Sequence, residues 1–332
     1  MRQNAWQVAR LMGGAAILAV LVWRLGTGPF LAGLRSISVG PLAAAVAIGA
    51  VTTVCAAWRW RLVARGLGVD VPLPAATAAY YRAQFLNTAL PCGVLGDVHR
   101  GVDHGRQVGD VGRGLRAVGW ERLAGQVVQI AVAVVVLMAL PSPVRAALPG
   151  AVAIAAVAVL VAVLIVRALA KTGETRAARI ARTAAGDVRG ALLGRHAWPG
   201  VLLASVVVVA GHVATFVIAA RAAGSTGSVG QLAPLALLAL LAMAVPMNIG
   251  GWGPREGVAA WAFAAAGLGA DHGLAAATVY GVLVFAACLP GAAVLIVAAL
   301  RRRAMIMHAP SPGRGSVHDH RELVSIGSTA GG

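Results

Sequence analysis

Acidic side chains and lysine are scarce in this 332-residue sequence. It holds 11 aspartates and glutamates against 28 lysines and arginines, and Lys171 is the single lysine. Only 12% of the residues are charged while 59% are hydrophobic, which is outside the balance of a soluble globular domain. The composition therefore indicates a membrane protein. Its net charge of +17 favours the anionic cytoplasmic leaflet as a partner, rather than nucleic acid.

Cysteine is also rare. The three cysteines form no CxxC pair, and Cys55 and Cys288 lie inside apolar runs, so neither a disulfide framework nor a zinc site is indicated. The nearest approach to a metal-binding pattern is His99, Asp103 and His104, whose spacing fits no metal-ligand template. The sequence predicts no metal and no cofactor.

Apolar runs close to the length of a spanning helix recur along the chain. Six spans are predicted, at residues 11–22, 41–57, 117–140, 151–166, 201–220 and 274–300. The arginine-rich segments 59–65 and 167–195 are predicted to be cytoplasmic by the positive-inside rule. This places both termini in the cytoplasm of a multi-pass protein of a bacterial-type plasma membrane. The tail 304–332 lacks apolar periodicity and is predicted to be disordered.

A polar segment interrupts the apolar sequence after residue 90. Pro91 has no N–H and ends the preceding helix, Gly93 and Gly96 permit left-handed backbone, and Asp97 can cap a new helix. A broken helix at membrane depth survives only when protein or a water-filled cavity surrounds it. Residues 75–90 are therefore predicted to form a re-entrant limb, followed by a polar loop that extends to residue 116.

A second polar break occurs at residues 245–258. Three residues of the first break recur there at one offset of 155 positions, so that Pro91, Gly96 and Arg100 map onto Pro246, Gly251 and Arg255. Three spans separate the two breaks, and an odd number of crossings reverses the direction of the chain. The pattern predicts an inverted repeat, with halves at about 10–140 and 150–300 and a basic cytoplasmic linker at 167–198. Eight crossings, with each re-entrant limb counted as a span, fit the hydropathy equally well.

The two breaks contain the candidate binding residues. Arg100 and Arg255 are predicted to contact an anion, because a guanidinium binds phosphate through two hydrogen bonds. Three carboxylates are predicted to balance their charge or to bind a headgroup amine, namely Asp97, Glu121 and Glu256. The pair Glu121–Arg122 fits this role and equally fits an ordinary interfacial start of a helix.

Polar residues also occur inside the predicted spans. We predict an inward-facing polar stripe on one helix, formed by Glu121, Gln126 and Gln129. Exposure of all three polar side chains to lipid would cost free energy. His212 lies within the fifth span and is interpreted as an interhelical hydrogen-bonding residue rather than a proton relay.

These motifs resemble the flippase-like family named after the lysylphosphatidylglycerol synthase transmembrane region. The resemblance covers about residues 10–300, and it departs from the family at Leu95, where the first glycine of a GGD motif is common. It rests on motifs in the order Arg82-x-x-Phe85-x-Asn87, Leu90-Pro91, Gly96-Asp97-x-x-Arg100, Glu121-Arg122, and Pro246 with Gly250-Gly251-x-Gly253-x-Arg255-Glu256. The resemblance implies a module that handles polar-headed lipids or moves them between leaflets. It places Arg82 and Asn87 among the substrate-binding residues, and Gly250 and Gly253 among the helix breaks.

The sequence thus predicts an all-α polytopic membrane protein, with one transmembrane domain at 1–303 and a tail at 304–332. It is expected to bind a phospholipid or a polyprenyl-linked lipid and to move it between leaflets, without an aminoacyltransferase or nucleotide-binding domain. The alternative is a membrane-embedded enzyme or accessory subunit that acts on a polyprenyl or glycolipid substrate, with Asp97, Glu121 or Glu256 as the base. A membrane scaffold is a third reading, but it leaves the intramembrane polar residues unexplained.

Overall fold

The computed structural model describes residues 26–90, 93–171, 175–195, 197–244 and 252–307, together with residues 19, 22 and 23. These residues form eleven α-helices and no β-strand, which confirms the all-α prediction. The helices are α1 (Gly28–Arg35), α2 (Val39–Gly66), α3 (Leu73–Ala89), α4 (Leu95–Gln107), α5 (Val111–Ala139), α6 (Leu148–Lys171), α7 (Arg176–Asp187), α8 (Trp198–Ala222), α9 (Val229–Ala242), α10 (Pro254–Ala265) and α11 (Ala270–Met307).

Five helices of the described part are long and apolar enough to cross a membrane, namely α2, α5, α6, α8 and α11 as far as Leu300. They correspond to the second to sixth predicted spans, so the protein is a polytopic helical membrane protein as predicted. The first predicted span, 11–22, lies outside the described residues except at positions 19 and 22. Helix α11 continues four residues into the predicted tail, and residues 308–332 lie outside the described part.

The chain divides into a compact unit that ends at Val294 and a second unit that begins at Leu295. The second unit contains the last part of α11. Every contact described below lies within the first unit, so the first unit alone positions the candidate site.

The first helix break is present, because α3 ends at Ala89 and α4 begins at Leu95. Pro91 lies outside the described residues, whereas Gly93 has φ +63°, the left-handed conformation that was predicted. The predicted polar loop was wrong over residues 95–107, which form helix α4. The buried positions of α4 recur every three to four residues, but most are occupied by glycine or charged residues. The helix therefore has no apolar stripe, which is the pattern that predicts a helix from sequence.

Asp97 and Gly96 have different roles from those predicted. The N-cap of α4 is Val94, and Asp97 lies in the first turn of the helix. Gly96 is helical, but a Cβ atom on it would lie 2.0 Å from the carbonyl oxygen of Ala83. Glycine is therefore required there for the close approach of α3 and α4, and not for a left-handed backbone.

Helices α4 and α5 form an antiparallel hairpin that is also packed through glycine. A Cβ on Gly105 would lie 2.5 Å from the Cα of Val111, and one on Gly114 would lie 2.3 Å from the carbonyl oxygen of Gly101. The two backbones are thus nearly in contact, which brings the charged residues of α4 against those of α5.

The second break separates α9, which ends at Ala242, from α10, which begins at Pro254. Pro246, Gly250 and Gly251 lie outside the described residues. Gly253 is the N-cap of α10 with φ +116°, a conformation that side chains other than glycine rarely adopt. Its N–H donates to Glu256 Oε2 at 2.7 Å, so the side chain of Glu256 fixes the start of α10.

Helices α2 and α8 occupy matching places in the two predicted halves, because each precedes a break. Three contacts give their relative direction, Gly200 against Leu62, Arg59 against Ser205, and Gly211 against Thr52. Residue numbers rise along α8 as they fall along α2, so the two helices are antiparallel. An inverted repeat requires this relation of the matching helices, and the re-entrant depth of the broken helices stays a prediction.

Candidate functional site

Glu121 is the centre of a charged cluster inside the first half. Its side chain has no solvent exposure and lies between helices α2, α3 and α4. It accepts hydrogen bonds from Arg59 Nε at 2.9 Å and from Arg100 Nη2 at 3.0 Å. The hydroxyl of Tyr80 donates to it at 3.2 Å. One carboxylate of α5 therefore joins three neighbouring helices.

Asp97 is the second carboxylate of this cluster. It accepts from Arg100 Nη2 at 3.0 Å and from Asn87 Nδ2 at 2.8 Å, and it also pairs with Arg122. Asn87 Oδ1 accepts from the N–H of Gly96 at 2.7 Å. The side chain of Asn87, near the end of α3, thus holds both the start of α4 and the carboxylate in its first turn.

Arg100 is enclosed by aromatic rings. Its guanidinium carbon lies 4.5 Å from the ring centroid of Trp60 and 4.3 Å from that of Tyr80. Its side chain has no exposure, and Nε and Nη1 have no hydrogen-bond partner among the described residues. The faces of the two rings therefore stabilise the part of the charge that the carboxylates do not reach.

A cavity of about 1120 Å³ lies beside this cluster and draws its lining from both halves. It is larger than most ligand pockets, which hold roughly 300–1000 Å³. The charged residues that line it are Arg59, Asp97, Arg122 and Arg255. Neutral polar side chains also line it, among them Gln84, Gln126, Gln129 and His212.

Arg122 is the cavity guanidinium most open to solvent. Its side chain is 48% exposed, whereas those of Arg59 and Arg255 are 7% and 3% exposed. The apolar remainder of the wall includes Val118 and Phe285. An exposed guanidinium in a largely apolar wall can bind an anion whose attached chain is apolar.

Arg255 forms the corresponding site of the second half. It pairs with Glu256, with Nε donating to Oε1 at 2.9 Å. Its guanidinium carbon lies 5.2 Å from the ring centroids of both Trp252 and Tyr280. A Cβ on Gly281 would lie 2.5 Å from Arg255 Nη2, so this glycine of α11 makes room for the guanidinium.

The two halves therefore place an arginine between two aromatic rings at matched positions, Arg100 and Arg255. They differ in charge. The first cluster contains three guanidinium groups and two carboxylates, whereas the second contains one of each. One positive charge in the first cluster has no counterpart among the described residues.

A family model described as lysylphosphatidylglycerol synthase TM region matches residues 7–310. The chain belongs to this family. The match confirms the resemblance stated from the sequence, and it identifies a membrane protein linked to lipid handling. No curated protein matches the chain.

The substrate-binding residues that were predicted from this sequence fall into two groups. Those that line the cavity are Asn87, Asp97, Arg122 and Arg255. Those outside its lining are Arg82, Arg100, Glu121 and Glu256. Arg82 pairs with Asp103 at 2.7 Å, and the other three are buried in the contacts described above.

Two histidines near this site, His104 and His212, are packed within the fold. The ring of His104 lies edge-on to Trp60, with 5.3 Å between centroids. Burial and, to a smaller degree, the charge of Arg100 lower the pKa of His104 below its ordinary value. His212 Nδ1 lies 2.9 Å from the hydroxyl of Tyr280, the interhelical hydrogen bond that was predicted. Within the described residues, no group of three His, Cys, Asp or Glu side chains could hold a metal.

Three residues of the charged cluster were not predicted from the sequence, namely Arg59, Trp60 and Tyr80. Arg59 and Trp60 belong to the run Trp58–Arg61, which has the composition of a cytoplasmic border. In the structure α2 continues to Gly66, so Arg59 lies inside the helix and not at its end. A Cβ on Gly125 would lie 2.8 Å from Arg59 Nη1, and no sequence signal links these two positions.

Proposed function

We propose that this protein binds the phosphate-bearing headgroup of a membrane lipid in the 1120 Å³ cavity and moves the lipid between leaflets. The observation that carries the proposal is the unbalanced positive charge at the cavity wall, with the exposed guanidinium of Arg122 beside it. Arg122 and Arg255 are the proposed headgroup contacts. Arg59 also lines the cavity.

The charge balance favours an anionic ligand. An uncompensated charge that is removed from water costs several kcal/mol, and a bound phosphate would offset the excess in the first cluster. Arginine is suited to this contact because its guanidinium donates two parallel hydrogen bonds to phosphate oxygens. The apolar part of the cavity wall is compatible with acyl chains that remain in contact with the protein.

The cavity is lined by residues next to both helix breaks, which supports movement of the lipid rather than binding alone. Asn87 and Asp97 flank the first helix break, and Arg255 follows the second. Transporters with inverted repeats bind their substrates between broken helices from the two halves. One cavity that reaches both breaks fits this arrangement.

Arg100 has a different proposed role from that of Arg122. Arg100 does not line the cavity, and its guanidinium is buried against the rings of Trp60 and Tyr80. Arg100 instead holds Asp97 and Glu121, and Asp97 in turn pairs with Arg122. We propose that Arg100 positions the binding residues without touching the headgroup.

The enzyme alternative has less support. Each carboxylate proposed as a base, Asp97, Glu121 or Glu256, is already paired with at least one arginine. The arginine that donates to each carboxylate competes with a substrate for the same oxygens. Transport therefore remains the proposed function.

Leaflet exchange of a labelled phospholipid in proteoliposomes tests the proposal. The variants are Arg122→Gln and Arg255→Gln, with Arg179→Gln on the exposed surface of α7 as the matched control. Loss of one charge-assisted hydrogen bond costs roughly 1.5–3 kcal/mol, so each cavity variant should slow exchange by about tenfold or more. Arg122→Lys should recover part of the rate, because lysine keeps the charge but loses the planar fork.

The proposal is wrong if the wild-type protein exchanges no more lipid than protein-free vesicles. It is also wrong if both cavity variants match the rate of Arg179→Gln.

We also propose that both termini, the basic end of α2 at 61–65 and the linker 167–198 face the cytoplasm, because these regions carry the basic residues. Single cysteines at Ala146 and Thr226, both exposed, should react with an impermeant reagent in intact cells that produce a chain without its native cysteines. A cysteine at the exposed Thr183 should react only after the cells are lysed. Labelling of Thr183→Cys in intact cells would contradict the proposed orientation.

A further inference from the structure

We infer that His212 binds a proton together with the lipid phosphate, so that entry of the anion into the cavity is coupled to proton uptake. The inference rests on the proposed headgroup site. It adds a proton as a second ligand of that site, and it assigns a residue that the proposed function does not use.

His212 differs from the other titratable residues of the cavity in its chemistry. The others that line this cavity or the smaller one beside it are Arg59 of α2, Tyr80 of α3, Asp97 of α4, Arg122 of α5, Arg255 of α10, and Tyr280 and Cys288 of α11. Histidine alone among these residue types has an ordinary pKa, about 6.5, that lies between about pH 5 and 8. Among the described lining residues, His212 is therefore the one whose chemistry suits it to gain and lose a proton near neutral pH.

The hydrogen bond to α11 occupies only one nitrogen of the ring. The hydroxyl of Tyr280 lies 2.9 Å from Nδ1 of His212, which leaves Nε2 available to bind the proton. A tyrosine hydroxyl donates to an unprotonated ring nitrogen and accepts from a protonated one. The interhelical hydrogen bond can therefore persist in both charge states of the ring.

Polar side chains border His212 in a second, smaller cavity of about 30 Å³. Its lining contains His212, Thr52 and Thr53 of α2, Gln84 of α3 and Thr215 of α8. A water molecule needs roughly 10–15 Å³ and two to four polar partners, so this cavity has room for one. His212 lines the large cavity as well. Water can thus supply the proton that forms the N–H bond at Nε2.

The charges of the large cavity couple this proton to the phosphate. Its lining contains three guanidinium groups, Arg59, Arg122 and Arg255, and one carboxylate, Asp97. A protonated His212 would be a fourth cation in the empty cavity. A bound phosphate adds a negative charge and offsets the repulsion among these cations. Phosphate and proton therefore each strengthen the binding of the other.

Calorimetric titration of the wild-type protein tests this coupling. The full chain in detergent is titrated with short-chain phosphatidylglycerol, a phosphodiester whose charge stays constant over the pH range used, in buffers of different ionisation enthalpy. We expect uptake of about one proton or less per bound lipid. The affinity should rise by about tenfold between about pH 8.5 and 5.5, because one linked proton changes affinity by at most tenfold per pH unit. Binding without proton uptake, at one affinity over this range, would overturn the inference.

Three variants test whether His212 is the group that binds the proton. His212→Gln removes the titratable ring but keeps a side chain that can hydrogen-bond to Tyr280, and it should abolish both the proton uptake and the pH dependence. His272→Gln makes the same change at the exposed start of α11 and should retain both. Tyr280→Phe removes the interhelical bond but keeps the ring, so its proton uptake should persist.

Two results with these variants would contradict the assignment. If His212→Gln takes up as many protons as His272→Gln, the proton binds elsewhere. If Tyr280→Phe loses the uptake together with His212→Gln, the interhelical bond and not the ring is responsible.

The outcomes also separate this inference from the proposed function. Absence of binding at every pH contradicts the proposed headgroup site and the inference with it. Leaflet exchange with binding that is independent of pH contradicts the inference alone. Proton-coupled binding without leaflet exchange supports the inference and contradicts transport.

Discussion

Replacement of Glu121 by glutamine should lower the free energy of unfolding by roughly 3–5 kcal/mol, the usual cost of removing one partner from a buried ion pair. Glu121 is wholly buried and holds both Arg59 and Arg100. Glutamine keeps the shape of the side chain but leaves the cluster with three guanidinium groups and one carboxylate. The measurement is unfolding in mixed detergent micelles, followed by circular dichroism.

Asp70→Asn is the matched control for this experiment. Asp70 also pairs with two arginines, Arg61 and Arg65, but it does so at the surface, where ion pairs contribute little to stability. Its replacement should leave the unfolding free energy close to that of the wild type. If Glu121→Gln is no more destabilising than Asp70→Asn, the buried cluster does not hold the helices together.

Arginine-to-lysine substitutions should have unequal effects on stability at Arg100 and Arg122, the two arginines that pair with Asp97. We expect Arg100→Lys to destabilise the fold by about 2 kcal/mol or more, because an ammonium cannot lie between Trp60 and Tyr80 and also reach two carboxylates. Arg122→Lys should change stability little, because this half-exposed side chain keeps its charge and its access to the cavity.

Lipid exchange per folded molecule provides the second readout. Arg122→Lys should slow exchange at unchanged stability, whereas Arg100→Lys should lower stability and also disturb the orientation of Arg122 through Asp97. If the folded fraction of Arg100→Lys exchanged lipid at the wild-type rate, Arg100 would serve folding alone. Equal stability losses in the two variants would contradict the enclosed position of Arg100.

The second to sixth spans and both helix breaks could be predicted from the sequence because their signals are local. Runs of apolar residues have the length of a spanning helix, and glycine at positions 93 and 253 adopts the positive φ that the breaks require. The interhelical role of His212 was predicted on the same basis, since a lone histidine in an apolar helix needs a partner. Its partner, Tyr280, lies 68 residues away and could not be named.

Helix α4 and the residue Arg59 show why the rest could not be predicted. Helix α4 packs through glycine and charge, so its sequence has the composition of a loop and becomes helical only between α3 and α5. Arg59 follows an apolar run beside tryptophans, as a border residue does, and its burial depends on Glu121 and Ser205 from other helices. Both features depend on tertiary contacts that composition and periodicity do not contain.

The unequal charge of the two matched arginine sites has a consequence for the direction of passage. If the two halves were chemically identical, a twofold axis would make entry from either side of the membrane equivalent. The first site has an excess guanidinium and the second is neutral, so an anion in the cavity has its lowest energy near Arg122. Under the proposed function, a lipid phosphate would therefore bind more tightly beside the first site than beside the second, and its passage in the two directions would not be equivalent.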